Sequence, residues 1–250
     1  MTGRRVLLTG TAGFIGGNML ARLARAGWQV VGCDWVRDAA QFPALVIPGL
    51  VDWVPPEDLD AWLVHHAGEL DAIVHMGAIS ATTETDLDRL VRWNLRSTRM
   101  LWRHACRTGC RFLYASSAAT YGDGSAGFED RCDLAYLDSL RPLNPYGWSK
   151  HIADRAIAID AAAARSPQAG WAGFKFFNVY GPGEERKGDM RSLVAKIVPE
   201  LRAGRPIRLF KSHHPGYGDG EQRRDFIHVA DVCDVLLRAL ESEALSGLYN

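Results

Sequence analysis

The run Gly10-Thr11-Ala12-Gly13-Phe14-Ile15-Gly16 constrains this chain more than any other feature. It follows a short apolar segment, Arg5 to Thr9. It opens a segment, Gly13 to Ala26, whose apolar residues recur at helical spacing until Gly27. Glycines so spaced serve a backbone that must turn tightly, approach a diphosphate and pack a helix on a strand. The helix start behind them offers unpaired N–H groups and a positive dipole end. A glycine trio alone is weak evidence. Between a strand and a helix it predicts a dinucleotide site at Gly10, Thr11, Ala12, Gly13, Phe14, Ile15 and Gly16.

The rest of the chain keeps the same rhythm. Strand signals at Trp28 to Cys33, Leu70 to His75, Arg111 to Ala115 and Gly173 to Phe177 alternate with helical ones at Leu87 to Thr108 and Tyr146 to Arg165. This order predicts an α/β fold, a doubly wound parallel sheet of the Rossmann type. After Asn178 the texture changes. A helix at Leu193 to Leu201 and a polar, glycine-rich loop at 211–222 precede a strand at Phe226 to Val229 and a helix at Ala230 to Glu241. Gly247 to Asn250 reads as a strand entering the sheet. The expected division is a dinucleotide-binding domain over 1–177, with 223–243 returning to it. A smaller C-terminal substrate lobe is expected over 178–222 and 244–250, continuing beyond Asn250.

Charge narrows the partners. Lysine plus arginine equals aspartate plus glutamate, 29 each among 250 residues, which argues against a nucleic-acid surface or a polybasic membrane contact. No window is apolar enough to span a bilayer. Cys33, Cys106, Cys110, Cys132 and Cys233 are scattered, with no pattern that would complete a metal site. They read as free thiols of a cytoplasmic protein.

Asp34 ends the second strand, 18 residues past Gly16, where a carboxylate accepts hydrogen bonds from ribose hydroxyls. It favours NAD over NADP, whereas nearby Arg37 suits the extra phosphate of NADP, so both cofactors stay open. Ser116-Ser117 closes the strand from Arg111. Tyr146 and Lys150 follow at i and i+4, on one helix face. An adjacent ammonium and an oxidised nicotinamide both favour the phenolate, making Tyr146 a base for an alcohol with Ser117 holding the same oxygen.

Together, Gly10-x-x-Gly13-x-x-Gly16, Ser117 and Tyr146-x-x-x-Lys150 resemble the extended short-chain dehydrogenase/reductase family, and the resemblance spans essentially the whole chain. It implies that Asp34, Trp35, His75, Met76, Gly77, Ala78 and Asn94 join Tyr146 and Lys150 around a tightly held cofactor. Finer motifs are Phe112 to Gly122, Pro142 to Lys150, Phe176 to Pro182, Arg186 to Met190 and Gly216 to Phe226. They are similar to the epimerase/dehydratase branch that inverts an exocyclic carbon of ADP-heptose, in the supply of lipopolysaccharide precursors. That likeness implies a second acid/base residue at Lys187. It also implies a nucleotide-sugar substrate held by Ser80, Asn178, Asp189, Lys196, Phe210 and Arg224, with Lys211 and Ser212 beside the ADP, and a homo-oligomer. His75-Met76-Gly77-Ala78, Gly183, Gln41 and Gly49 depart from the usual pattern.

Two other readings compete. A 4-epimerase or dehydratase is one, but dehydration lacks an acid pair after Ser117, where Ala118-Ala119 stands, and a 4-epimerase has no need of Lys187. A non-catalytic dinucleotide-binding regulator is the other, and the presence of both Tyr146 and Lys150 argues against it.

Overall fold

The structure is a computed structural model that describes residues 3–36, 47–213, 215–216, 218–242 and 245–250, with the side chains of Arg186 and Asp189 outside the description. The expectations for Arg37, Gln41 and the Asp189 side chain therefore lie outside the described residues.

β1 (Arg5–Thr9), β2 (Gln29–Cys33), β4 (Ala72–His75), β5 (Arg111–Ser117) and β6 (Trp171–Phe176) are mostly apolar on both faces, as a sheet covered by helices on both sides requires, while β3 (Leu50–Val54) is a partly exposed edge strand. With Ser246–Tyr249 they form one seven-stranded sheet, every pairing parallel, in the order β3-β2-β1-β4-β5-β6 and then the last strand. The doubly wound expectation holds. Alternate side chains feed two cores. Leu7, Val31, Ile73, Phe112 and Tyr114 pack on one face with Leu101, Trp102 and Ile157. Val6, Leu8, Val30, Val74 and Leu113 pack on the other with Met19, Leu20, Leu23, Leu236 and Leu240. Fully buried side chains of this size each contribute roughly 1.5–3 kcal/mol.

The helices are α1 (Phe14–Arg25), α2 (Leu59–His65), α3 (Leu87–Leu90), α4 (Ser97–Thr108), α5 (Leu134–Leu137), α6 (Pro145–Ala162), α7 (Leu193–Arg202) and α8 (Val229–Glu241). The long helix expected from Leu87 to Thr108 is continuous, but Val91–Arg96 within it is a π-helical turn joining α3 to α4. Helix α6 starts at Asn144, whose side chain accepts from the Gly147 N–H at 2.8 Å, with Pro145 in the first turn where its missing N–H costs nothing.

Outside the sheet, β7 (Asn178–Tyr180) pairs in parallel with β8 (Phe226–His228). α7 has no buried residue. The final strand, β9 (Ser246–Tyr249), corrects the grouping of 244–250 with the substrate lobe. It hydrogen-bonds to β6, Phe174 opposite Tyr249, and closes the main sheet.

Candidate active site

The strand order reverses direction of growth between β1 and β4, and ligands of such sheets sit at the carboxyl ends of the strands beside that switch. Here those ends carry Gly10 and His75-Met76-Gly77. The two loops touch closely. A Cβ on Gly10 would lie 2.7 Å from the Gly77 nitrogen, and one on Gly16 would lie 1.9 Å from the Gly10 carbonyl oxygen. No side chain fits either position. The start of α1 has no side-chain cap and no acidic residue in its first turn, so its first N–H groups are left for an anion.

A cavity of about 580 Å³ opens over this point. Gly10, Ala12 to Gly16, Asp34, Trp35, His75 to Ala78, Ser80 and Lys187 all line it. The Asp34 carboxylate is oriented by two backbone donors, Ala12 N–H at 2.8 Å and Trp35 N–H at 2.7 Å. A dinucleotide fits these residues: an uncapped helix end for the diphosphate, a fixed carboxylate for a ribose, and glycines where a Cβ would block approach. The sequence reading missed Glu57, Arg92, Trp93 and Arg96 on the same wall. Trp93 meets Trp35 edge-on at 5.0 Å, and Arg92 lies 4.6 Å above the Trp93 ring. Arg92, Trp93 and Arg96 belong to the π turn, an irregularity that no linear spacing announces.

Two expected cofactor contacts turn inward instead. Thr11 is wholly buried. Its hydroxyl donates to the Leu8 carbonyl and accepts from Cys33 N–H, bracing β1 on β2. Asn94 is also wholly buried, not solvated. Its amide oxygen accepts from Ile79 N–H at 2.8 Å, and its amide nitrogen donates to the Ile79 carbonyl and the Ser149 hydroxyl. It ties the loop after β4 to α6.

His75 faces the same interior. Thr98 donates its hydroxyl to the Asn94 carbonyl, so it accepts from His75 Nε2–H at 2.9 Å. The Thr98 contact thus places a ring proton on Nε2, and with the ring neutral Thr9 Oγ1, which accepts from Gly77 N–H, turns its own proton to His75 Nδ1 at 2.7 Å. Burial, helped by the charge on Lys150, pushes the imidazole down to about 3.

On the other side of β4, β5 presents Ser117 and α6 presents Tyr146 and Lys150. Tyr146 is 7% exposed. Lys150 donates to the Ala115 carbonyl at 2.8 Å. Burial pushes Lys150 down to about 8, opposed by Asp154 one turn along. Burial raises Tyr146, and Ser117 partly offsets it.

Lys187 sits in the short 3₁₀ segment Glu184–Met190, its Nζ 5.1 Å above the Phe14 ring. Burial lowers it, opposed by Glu184. Glu184 is itself buried and accepts from the Ser192 N–H and, at 2.8 Å, the Ser192 hydroxyl, which anchors this turn to the start of α7. Asn178, Lys196, Phe210 and Arg224 are not among the residues that line this cavity. Asn178 is turned to the Asp225 carbonyl at 3.0 Å. Lys196 and Phe210 are exposed, and Arg224 donates to the Arg223 carbonyl rather than pairing with Asp225. The five thiols are unpaired, and among the described residues no helix is long and apolar enough to cross a membrane.

Comparison with known proteins gives this geometry a context. Residues 6–250 match the NAD dependent epimerase/dehydratase family. An ADP-L-glycero-D-manno-heptose-6-epimerase of Nitratidesulfovibrio vulgaris strain DP4 is 44% identical over 248 residues, covering 98% of this chain and 74% of that protein. One from Fusobacterium nucleatum is 38% identical over the same shares. Among solved structures, the Helicobacter pylori ADP-L-glycero-D-manno-heptose-6-epimerase superposes with a TM-score of 0.77 at 27% identity, over 99% of this chain and 76% of that one.

Proposed function

The chain belongs to the NAD dependent epimerase/dehydratase family, and from that premise we propose that it interconverts ADP-D-glycero-D-manno-heptose and ADP-L-glycero-D-manno-heptose by transient oxidation at C6. It is an NAD-dependent nucleotide-sugar epimerase. The observation that carries the finer reading is a second proton carrier at the cofactor cavity. Lys187 comes from a different element than Tyr146, and burial lowers its affinity for a proton.

Gly10 to Gly16, Asp34 and Trp35 would hold the nicotinamide cofactor, which would supply reversible hydride transfer at the substrate carbon. The chain's own residues manage the proton and the geometry. Tyr146 takes the proton of the C6 hydroxyl while Ser117 holds the oxygen by hydrogen bond. Lys150 supplies a nearby positive charge that favours the phenolate formed in that exchange. Inversion needs the other face of the same carbon. Because C6 is exocyclic, rotation about C5–C6 re-presents the ketone without turning the sugar ring. Lys187 then exchanges the proton for the second orientation. A lysine does this near neutral pH only if its pKa is depressed, which partial burial against Phe14 provides. Ser80 and, on the outer lobe, Asn178, Asp189, Lys196, Phe210 and Arg224 complete the proposed substrate contacts, Arg224 suiting a diphosphate oxygen. Cytoplasmic location and assembly as a homo-oligomer belong to the same proposal.

The test is direct. Purified protein given either heptose epimer, with no cofactor added, reaches the same mixture of both by NMR. Lys187→Ala blocks interconversion while reduction of the bound nicotinamide by one epimer, read by its absorbance, persists. Turnover of UDP-glucose but not of ADP-heptose refutes the substrate, and an active Lys187→Ala refutes the two-base scheme.

A further inference from the structure

Behind the candidate site lies a buried ion pair that the reaction scheme does not use. Asp154 is on α6, four residues after Lys150 and eight after Tyr146, so the three share one helix face. Lys175 is on β6, directly opposite Ser116 on β5. Lys175 Nζ lies 2.9 Å from Asp154 Oδ2, and both side chains are 0% exposed.

Each group is fully occupied. Asp154 accepts from the Tyr114 hydroxyl at 2.8 Å, the Ser116 hydroxyl at 2.7 Å and Lys175. Lys175 also donates to Thr120 Oγ1 at 2.6 Å and lies 4.7 Å over the Tyr121 ring. Thr120 passes its own proton to the Ser117 carbonyl at 2.8 Å. Ser116 and Ser117, the end of β5, are therefore both fastened to this pair.

Stability alone does not explain such a pair. Removing two charges from water costs so much that well-packed apolar residues of the same volume commonly serve a fold as well or better. An apolar pair could not place a fixed negative charge one turn from Lys150 in a dry interior. Nor could it hold the strand that carries Ser117 against the helix that carries Tyr146.

We infer that Asp154 and Lys175 are positioning residues for the reaction: together they lock the Ser117 strand end to the Tyr146–Lys150 helix, and Asp154 keeps Lys150 charged. This rests on the Tyr146–Lys150 reading above. The other ionisable groups around the site leave Asp154 as the counter-charge to Lys150. From β4, His75 is neutral. From β5, burial raises Tyr114 well beyond its usual range, and from the 118–121 turn burial likewise raises Tyr121, so both hydroxyls stay protonated. On α6, Tyr146 is raised and His151 is pushed by burial down to about 4, while Arg155 pairs outward with Asp138. From β6 comes Lys175 itself.

The chain has five lysines, Lys150, Lys175, Lys187, Lys196 and Lys211, so lysine labelled with ¹³C at Cε gives five resolvable signals. Lys150→Arg assigns the one of interest. In the unaltered protein the Lys150 signal is expected to titrate below the usual lysine range, at about 8. In Asp154→Asn its midpoint falls by roughly one unit or more, a tenfold loss of protonated fraction. The alkaline limb of the kcat profile moves down with it. Asp154→Asn strands the Lys175 charge, so the double variant Asp154→Asn/Lys175→Met, which strands none, is measured beside it and shifts in the same direction. A folded variant whose Lys150 midpoint stays in place overturns the inference. A midpoint that moves while the rate profile does not supports the role of Asp154 and refutes instead the use of Lys150 in catalysis.

Discussion

Acid should loosen this protein through a residue that never meets solvent. His75 is 3% exposed, and its ring is held neutral between Thr9 and Thr98, with a pKa of about 3 in place of 6.5. In the unfolded chain the same imidazole takes up a proton below pH 6.5. The folded state therefore binds fewer protons than the unfolded one between about 6.5 and 3. Its full stability is present above that window and falls as pH drops through it. Each unit costs about 1.4 kcal/mol, so the whole window amounts to about 5 kcal/mol. That is a large share of the ~5–15 kcal/mol that holds a typical domain together. His151, also 3% exposed and pushed down to about 4, adds loss of the same sign. Urea unfolding at pH 7, 6, 5 and 4.5 reads this directly. His75→Asn keeps a polar group in place but cannot take the proton. It should be less stable than the parent at pH 7, yet its stability should fall less steeply with acid, by about 1.4 kcal/mol per unit. Parallel slopes for the two proteins would refute the assignment of a buried neutral His75.

Two further outcomes follow from the loops around the cavity. Gly16→Ala drives a methyl into the Gly10 carbonyl oxygen, 1.9 Å from where its Cβ must sit, so the protein should purify with cofactor content at least tenfold lower, read by absorbance after denaturation; full occupancy would show that the loop yields. Asn94→Ala leaves the Ile79 backbone groups and the Ser149 hydroxyl short of a partner inside the core. It should cost about 2–4 kcal/mol in urea unfolding, whereas a loss under 1 kcal/mol would mean that water reaches the gap.

The parts of the site that were legible in the sequence are those in which one residue type has one use. Glycines between a strand and a helix, and a Tyr-x-x-x-Lys pair downstream of a serine at a strand end, carry their geometry in their spacing. The alternation of strands and helices likewise fixed the sheet, because parallel strands need crossovers. The strand Leu50–Val54 gave no such signal, since it is short, largely unburied and interrupted by the polar Asp52. Lys175 reads from sequence as an ordinary outward residue of Gly-Phe-Lys-Phe. Its burial depends on Asp154, 21 residues earlier, and on Thr120, 55 earlier, which only the assembled sheet brings together. The resemblance sets Asn94 beside the cofactor, while its buried side chain hydrogen-bonds the Ile79 backbone and Ser149 on α6.

The π turn at Val91–Arg96 sets a phase. Such a turn is an α-helix carrying one residue too many, rare because it weakens the ladder of hydrogen bonds. Each helical residue advances about 100° around the axis. The extra residue therefore rotates α3 against α4 by about that amount and lets consecutive positions serve opposite clients: Trp93 and Arg92 the cavity, Asn94 the core. Deleting one residue here would restore a regular and locally sturdier helix. It would also leave no rotation of that helix in which both clients were met, so this irregularity works as a gear tooth and its loss should uncouple cofactor grip from core packing.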